Sequence, residues 1–194
     1  MPKRVIVIEG HPDLAGKHLC HALADAYAQG AAEGGHAVQR IAVAALEFPW
    51  LRTKEDFEQG LVPPAILSCQ QAIRDADHLV IVHPVWLGDM PAVLKAFCEQ
   101  VFRPGFAFQY AGRGFPVKRM KGKSARIVVT LGMPSLIYRW YFGAHGLKNS
   151  KRSILGFCGF APVSHNLFGM VEGASEAKRR RWLTQMQILG RAAA

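Results

Sequence analysis

The chain has few cysteines and no long apolar run, and both absences narrow its class. Its 194 residues include four cysteines and no C-x-x-C pair, which argues against a zinc site or a disulfide framework. Cys20, Cys69, Cys98 and Cys158 lie in apolar or helical patterns and are predicted to be buried free thiols. No apolar run approaches the ~20 residues of a membrane-spanning helix, and the opening MPKRVIVIEGHPD is too short in apolar residues for a secretory signal. We therefore expect a cytoplasmic globular protein that does not insert into a membrane.

Acidic residues are also scarce, with 14 Asp and Glu against 24 Lys and Arg and a formal charge of +10. Such a balance favours an anionic partner, either a nucleotide cofactor or a nucleic acid. The basic run at 178–181 has no interleaved aromatic residues for stacking on bases, which favours a solvated helix face. No recognised nucleic-acid-binding motif is present, and we expect no nucleic-acid partner.

Strand-like and helix-like segments alternate along the whole chain, without a linker or an internal repeat. This organisation predicts a single domain over residues 1–194, built as a parallel sheet with helices on both faces. The predicted strands are 4–9, 37–42, 78–83, 126–131 and about 162–168. The predicted helices are 16–34, about 65–76, 91–102, 150–158 and 175 to about 189.

The most informative segment is 78–102, HLVIVHPVWLGDMPAVLKAFCEQVF. It reads as a buried strand, a short apolar loop and a helix opened by proline. Open α/β sheets bind ligands at the carboxyl ends of their strands. Pro84, Val85, Trp86 and Leu87 are therefore predicted to lie against a flat apolar ligand. The alternative is that Trp86 and Leu87 only fill the core.

The loop after the first strand, EGHPDLAGKH, opens onto the N-terminus of a helix, where free N–H groups and the helix dipole favour a phosphate. Gly10 and Gly16 permit close backbone approach, while His11, Lys17 and His18 add donors or positive charge. Neither GxGxxG nor GxxxxGK[ST] is present, which excludes the dinucleotide fingerprint and the P-loop. The alternative is an ordinary polar loop.

A third loop follows the strand that ends in VVTLGMP. Thr130, Leu131 and Gly132 are placed beside the apolar loop, where their backbone N–H groups are predicted to face a polar ligand edge. His145 follows in FGAHG, after an aromatic run. It is a candidate donor to developing negative charge, with a packing histidine as the alternative.

Six stretches occur in one order over nearly the whole chain: GHP, HPVWLGDMPAVLKAFCEQVF, PGFAFQY, TLGMP, AHG and GFCGF. Together they resemble the NAD(P)H:quinone oxidoreductases of the flavodoxin-like fold, and the second stretch is the most specific. The resemblance implies a three-layer α/β sandwich with a five-stranded parallel sheet of order 2-1-3-4-5. It also implies a bound FMN or FAD and a homodimer with active sites at the interface. In this family NAD(P)H passes a hydride to the flavin, and a quinone or another flat acceptor takes the two electrons in a second half-reaction.

The resemblance implies a role for each matched position. Three residues match the flavin-phosphate loop: His11, Lys17 and His18. Seven match the two loops beside the isoalloxazine: Pro84, Val85, Trp86, Leu87, Thr130, Leu131 and Gly132. The implied catalytic partners of the flavin are His145 with Tyr138 or Tyr141, and the residues implied to line the substrate pocket from the partner subunit are Phe108 and Tyr110.

The chain departs from the family at three places. Gly16 stands where relatives often have a phosphate-binding serine, so Lys17 or backbone N–H groups must compensate. Leu131 replaces a glycine of the usual TTGG pattern, which predicts a narrower ring site. The segment between Thr130 and His145 is about two residues longer, which leaves the choice of tyrosine open.

A rival hypothesis belongs to another class. Some relatives are soluble ancillary subunits that activate potassium-efflux transporters, and strong basicity suits an acidic partner. Quinone reduction by the purified protein alone would separate the two hypotheses. The sequence leaves open FMN against FAD and NADH against NADPH.

Overall fold

The computed structural model describes residues 1–112 and 114–194. Its centre is a parallel sheet of five strands, β1 (Arg4–Glu9), β2 (Ala37–Ala42), β3 (His78–Pro84), β6 (Ser124–Thr130) and β7 (Val163–Phe168). The spatial order is β2-β1-β3-β6-β7, and every neighbouring pair is parallel. Two further strands, β4 (Phe108–Gln109) and β5 (Val117–Lys118), form a separate antiparallel pair. When only the five strands of the parallel sheet are numbered along the chain, their spatial order is the predicted 2-1-3-4-5.

Helices connect the strands on both faces of the sheet. They are α1 (Leu19–Glu33), α2 (Lys54–Glu58), α3 (Pro64–Asp75), α4 (Ala92–Val101), α5 (Ser135–Trp140), α6 (His145–Lys148), α7 (Gly156–Cys158) and α8 (Glu176–Ala192). A short 3₁₀ turn spans Val43–Ala45, and a π-helical segment, Asn149–Leu155, joins α6 to α7. Among the helices that the structure describes, none is long and apolar enough to cross a bilayer.

Several boundaries differ from the sequence prediction by one to three residues; for example, β6 begins at Ser124 rather than at 126 and α8 ends at Ala192 rather than at about 189. The first helix begins at Leu19 rather than at 16, because His18 keeps an extended backbone with φ −84° and ψ 148°. The predicted helix at 150–158 is helical, but its first part is wound as a π-helix. The aromatic excursion at 104–116 contains β4, and its residue 113 lies outside the described residues.

Successive side chains of the central strands point to opposite faces of the sheet and pack into two hydrophobic cores. Val5 and Val7 of β1 pack with α1 and α8 on one face, while Ile6 and Ile8 pack with α3 and α4 on the other. A strand buried on both faces needs no polar alternation, which is why β3 reads as a continuous apolar run.

Close approach of α1 and α8 depends on glycine. A Cβ on Gly30 would lie 2.1 Å from the Gln187 carbonyl oxygen, and one on Gly190 would lie 2.2 Å from that of Tyr27. These contacts leave no room for a side chain, so the two helices pack backbone to backbone. The packing sets the tilt of α1, whose N-terminus faces the carboxyl edge of the sheet.

Candidate functional site

Three loops meet at the carboxyl edge of the sheet, after β1, β3 and β6. The Gly10 N–H donates to the Val82 carbonyl at 2.8 Å, and the Val85 N–H donates to the Thr130 carbonyl at 2.9 Å. These bonds tie each loop to its neighbour. The three residue groups singled out in the sequence therefore share one edge.

Two stacked histidines cover the loop after β1. The rings of His11 and His18 lie 3.9 Å apart between centroids with an interplanar angle of 20°. His18 Nε2 donates to Asp13 Oδ2 at 2.8 Å, while Asp13 Oδ1 accepts from the N–H groups of Ala15 at 2.9 Å and Gly16 at 3.3 Å. The Asp13 carboxylate thus organises the loop that was predicted to bind phosphate.

A third histidine belongs to the same cluster. His21 Nδ1 lies 3.0 Å from Glu9 Oε2, and its Nε2 lies 2.9 Å from the Asp13 carbonyl oxygen. Glu9 is buried and also accepts from Arg40 Nε at 3.0 Å. The two ring nitrogens of His21 thus bridge the Glu9 carboxylate and the Asp13 carbonyl. Sequence reasoning missed this network, although a histidine three residues after His18 on a helix was a usable signal.

Charge in this cluster is set by burial and by neighbouring rings. Burial lowers the pKa of His11 below its ordinary value, and the adjacent His18 lowers it further. The hydrogen bond from His18 is the main cause that lowers the pKa of Asp13. Among the described residues, no group of three His, Cys, Asp or Glu side chains is arranged to hold a metal ion.

The N-terminus of α1 lies open beside the histidines. No side chain among the described residues caps the helix, and its first turn holds no acidic residue. The His21 N–H donates to the His18 carbonyl, which leaves the N–H groups of Leu19 and Cys20 available to an anion. Lys17 is exposed and lies next to this terminus in the chain. A Cβ on Gly16 would lie 2.0 Å from His18 Nε2, so a serine there would displace the His18 ring.

The loop after β3 is a tight turn that presents apolar side chains. Trp86 and Asp89 exchange two backbone hydrogen bonds at 2.8 and 3.1 Å. The central residues Leu87 and Gly88 have φ of 47° and 85°, as a type I′ turn requires. Leu87 is fully exposed and Trp86 is 52% exposed, so the core-filling alternative for these two side chains is wrong. A leucine at positive φ is strained, and such strain clusters at ligand sites.

A buried tyrosine locks this turn to the segment after β6. The Tyr138 hydroxyl donates to the Gly88 carbonyl and accepts from the Leu147 N–H, both at 3.3 Å. The Tyr138 ring is 1% exposed, and burial raises the pKa of its hydroxyl. A Cβ on Gly146 would lie only 2.5 Å from the same Gly88 carbonyl oxygen. The Tyr138 hydroxyl and the close backbone of Gly146 therefore hold the turn in place at its Gly88 carbonyl.

The other two catalytic candidates are exposed. His145 is the first residue of α6 and follows Gly143 and Ala144, with φ of 65° and 47°. This left-handed pair presents the histidine to solvent. Tyr141 is 82% exposed and packs edge to face on Phe142, with 4.9 Å between ring centroids.

The residues at the end of β6 face different surroundings. Thr130 Oγ1 lies 3.1 Å from Cys20 Sγ, which ties β6 to α1. The Leu131 side chain is 2% exposed and belongs to the core. Its backbone N–H donates to the Phe168 carbonyl at 2.8 Å, so the expectation that this N–H faces a ligand is wrong. Gly132 is exposed, and the nearest atom to a Cβ there would be Glu172 Oε1 at 3.9 Å.

One buried histidine forms the base of the apolar loop. His83 Nδ1 lies 2.9 Å from the Pro84 carbonyl oxygen, while its Nε2 has no hydrogen-bond partner among the described residues. Burial lowers the pKa of His83. The ring is therefore neutral and donates through Nδ1.

The two predicted substrate-pocket aromatics lie together. Phe108 is buried and packs edge to face against Phe157 and Tyr110, with centroid distances of 4.8 and 5.4 Å. They line a cavity of about 240 Å³ between α4 and the π-helical segment. That Phe108 and Tyr110 line the substrate pocket of the partner subunit stays a prediction.

The chain belongs to the Flavodoxin_2 family, described as having a flavodoxin-like fold, whose model matches residues 3–187. The sheet order agrees with this class. The family resemblance drawn from the sequence motifs is thereby confirmed.

Similar proteins include a human enzyme and two solved structures. Human ribosyldihydronicotinamide dehydrogenase [quinone] is 28% identical over 148 residues, which are 72% of this chain and 63% of the relative. An NAD(P)H:quinone oxidoreductase from Methanothermobacter marburgensis superposes with a TM-score of 0.80 at 20% identity, covering 98% of this chain and 96% of that one. An FMN-dependent NADH-azoreductase from Bacillus anthracis, solved with FMN, gives a TM-score of 0.79 at 16% identity, covering 100% and 98%.

The likeness to the two solved structures shows the fold. The chain spans about 63% of the length of the human relative. The shared family therefore does not by itself assign the activity of that relative to this chain.

Proposed function

We propose that this protein is a flavin-dependent NAD(P)H:quinone oxidoreductase that binds FMN. The observation that carries the proposal is the contrast within one sheet edge. A histidine-rich loop and an uncapped helix N-terminus lie at one end, and exposed apolar side chains lie at the other. A ligand with an anionic tail and a flat ring system fits that pattern.

The residues of the first loop fit the phosphate of such a cofactor. The first N–H groups of α1 donate to no side chain of residues 1–112 or 114–194, and the exposed Lys17 ammonium is close in sequence. His11 and His18 supply ring nitrogens in the same loop. Two or three charge-assisted hydrogen bonds of this kind are the usual way to hold a phosphate.

The apolar loops fit the ring. The Leu87, Gly88 and Gly132 N–H groups donate to no acceptor within the described part of the chain, and Gly132 is open to solvent. Flat heterocycles are commonly held by apolar contact together with a few backbone donors. Trp86 and Leu87 provide the apolar contact.

When bound, the flavin would supply two-electron transfer from NAD(P)H to a quinone or another flat acceptor, in two half-reactions. The chain's contribution is to orient the ring and to place a donor near its pyrimidine side. His145 is exposed after a left-handed turn and is our choice for that donor. The Tyr138 hydroxyl already bonds to Gly88 and Leu147, so we assign it a positioning role and keep Tyr141 as the second catalytic candidate.

We further propose a homodimer of two-fold symmetry. The excursion between α4 and β6 exposes Phe115 at 98% and Tyr110 at 56%, and Tyr110 lines the same cavity as Phe108. Apolar side chains exposed in this way usually meet a partner. Light scattering at micromolar concentration should give the dimer mass, and a monomer would contradict this part of the proposal.

The spectrum of the purified protein tests the cofactor. We expect a yellow protein, or one that binds added FMN with micromolar affinity or better, and mass spectrometry of the released cofactor decides between FMN and FAD. Steady-state reduction of a quinone by NADH or NADPH then tests the activity. Colourless protein that fails to quench flavin fluorescence would overturn the proposal, and flavin binding without turnover would favour an ancillary subunit.

A further inference from the structure

A group of positively charged side chains lies beside the edge strand β7. A cleft of about 280 Å³ opens between α5, α6, the π-helical segment and β7. We call it the cationic cleft, and its charged and aromatic lining residues are Arg139, Trp140, Lys148, Lys151, Arg152 and His165. Among the described residues that line it, none is acidic.

The four Lys and Arg side chains of the cationic cleft have no carboxylate partner in the part of the chain that the structure describes. None of them takes part in a salt bridge within residues 1–112 and 114–194. Four like charges around one concave surface repel one another, so an anion bound there would relieve that repulsion.

His165 contributes a neutral ring to the same surface. Lys151 Nζ donates to its Nδ1 at 3.4 Å. Partial burial is the first cause that lowers the pKa of His165, followed by the charges of Lys151 and Arg139. With Nδ1 accepting from the lysine, Nε2 carries the proton and is a further donor.

The wall and floor of the cationic cleft are apolar. The Trp140 indole is 79% exposed, while Ala144 and Leu147 are each 5% exposed and close the floor. An exposed indole beside guanidinium groups is a stacking surface for a heterocyclic base. The cleft therefore combines what the base and the phosphates of a nucleotide require.

The position of the cationic cleft relates it to the candidate active site. Its floor residues Ala144 and Leu147 flank His145 in the chain. His145 begins α6, and Lys151 lies in the π-helical segment that continues directly from it. A dinucleotide with its nicotinamide near His145 would reach the cleft with its other end.

We propose that the cationic cleft binds the phosphorylated adenosine end of the nicotinamide dinucleotide and favours the 2′-phosphate of NADPH over NADH. This inference rests on the proposed function. The 2′-phosphate adds a charge of about −1.5 to −2 at neutral pH, and Arg139 and Arg152 can each bind a phosphate through two parallel hydrogen bonds. The volume suits one nucleotide end rather than a whole dinucleotide.

Calorimetric titration of the purified protein tests the cleft without turnover. We expect adenosine 2′,5′-bisphosphate to bind about tenfold or more tightly than 5′-AMP, since hydrogen bonds to charged groups are strong. The double variant K148Q/R152Q changes two exposed side chains and should lose that preference. The matched control K121Q/R181Q removes the same charge from exposed positions elsewhere and should keep it. Equal binding of the two nucleotides, or the same preference in K148Q/R152Q, would overturn the proposal.

Steady-state kinetics give the second readout. K148Q/R152Q should raise KM for NADPH about tenfold more than KM for NADH, and K121Q/R181Q should leave the ratio of the two KM values as in the wild type. An unchanged ratio in K148Q/R152Q would contradict the assignment. If neither NADPH nor NADH supports quinone reduction, the proposed function fails. The titration then decides by itself whether the cationic cleft binds the 2′-phosphate.

Discussion

The loop after β1 is held by charged side chains, whereas the loops after β3 and β6 are held by close backbone packing. Asp13 bonds to the backbone of its own loop and to His18, and these partners are partly exposed. In contrast, the Gly88 carbonyl is covered by buried Tyr138 and by the backbone of Gly146. Exposed charge pairs contribute little to stability, while buried packing tolerates no added volume. The first loop is therefore built to adjust to a ligand, and the other two to hold a fixed surface.

The largest effect is expected where backbone meets backbone. In Gly146→Ala the new Cβ would lie 2.5 Å from the Gly88 carbonyl oxygen and 2.7 Å from the Asp89 Cα. Because neither atom belongs to a flexible side-chain end, we expect the free energy of unfolding to fall by about 3 kcal/mol, near the upper range for overpacking. Urea denaturation measures it. The control Gly173→Ala places a Cβ in open space, and equal stability of the two variants would show that the turn can move.

The next effect concerns the charged end of the ligand. Lys17→Ala should weaken FMN binding by about 1 to 3 kcal/mol, the range for hydrogen bonds to charged groups. Fluorescence quenching measures the affinity. Riboflavin lacks the phosphate and is the matched control, because its affinity should not change. An unchanged affinity for FMN would assign the phosphate to backbone N–H groups alone.

A smaller effect is expected at the apolar end. His145→Ala should slow flavin reduction by NADPH by about tenfold, or about 1.4 kcal/mol, while FMN stays bound. Stopped-flow bleaching of the flavin measures the rate. Tyr141→Phe serves as the comparison, since Tyr141 is the second exposed candidate. Wild-type rates in His145→Ala would make His145 a packing residue.

The smallest effect is expected for a glycine substitution in the loop after β1. In Gly16→Ala the new Cβ would approach His18 Nε2 and Asp13 Oδ2 at 2.0 and 2.6 Å, but both atoms are ends of side chains that can move. We expect the free energy of unfolding to change by no more than about 0.5 kcal/mol, as for most surface substitutions. The same urea experiment applies. A loss as large as that of Gly146→Ala would show that the first loop is as rigid as the others and would remove the contrast.

The order of elements and the position of the site could be predicted from the sequence. The apolar run before His83, the proline before α4 and the glycines before α1 are local signals, and each depends on neighbours within a few residues. Loops at the carboxyl ends of parallel strands must meet at one edge. That geometric rule places His11, Trp86 and Thr130 at the same edge of the sheet.

Only the tertiary structure decided how the side chains at that edge are used. The sequence left Tyr138 and Tyr141 as equal candidates, and burial against the turn at Gly88 separates them. It also placed Leu131 beside the ring, whereas the strand pleat turns that side chain into the core. The bond between His21 and Glu9 joins residues 12 positions apart, and no periodicity records such a contact. Patterns along the chain report which segments are buried, but which atoms meet depends on packing between distant segments.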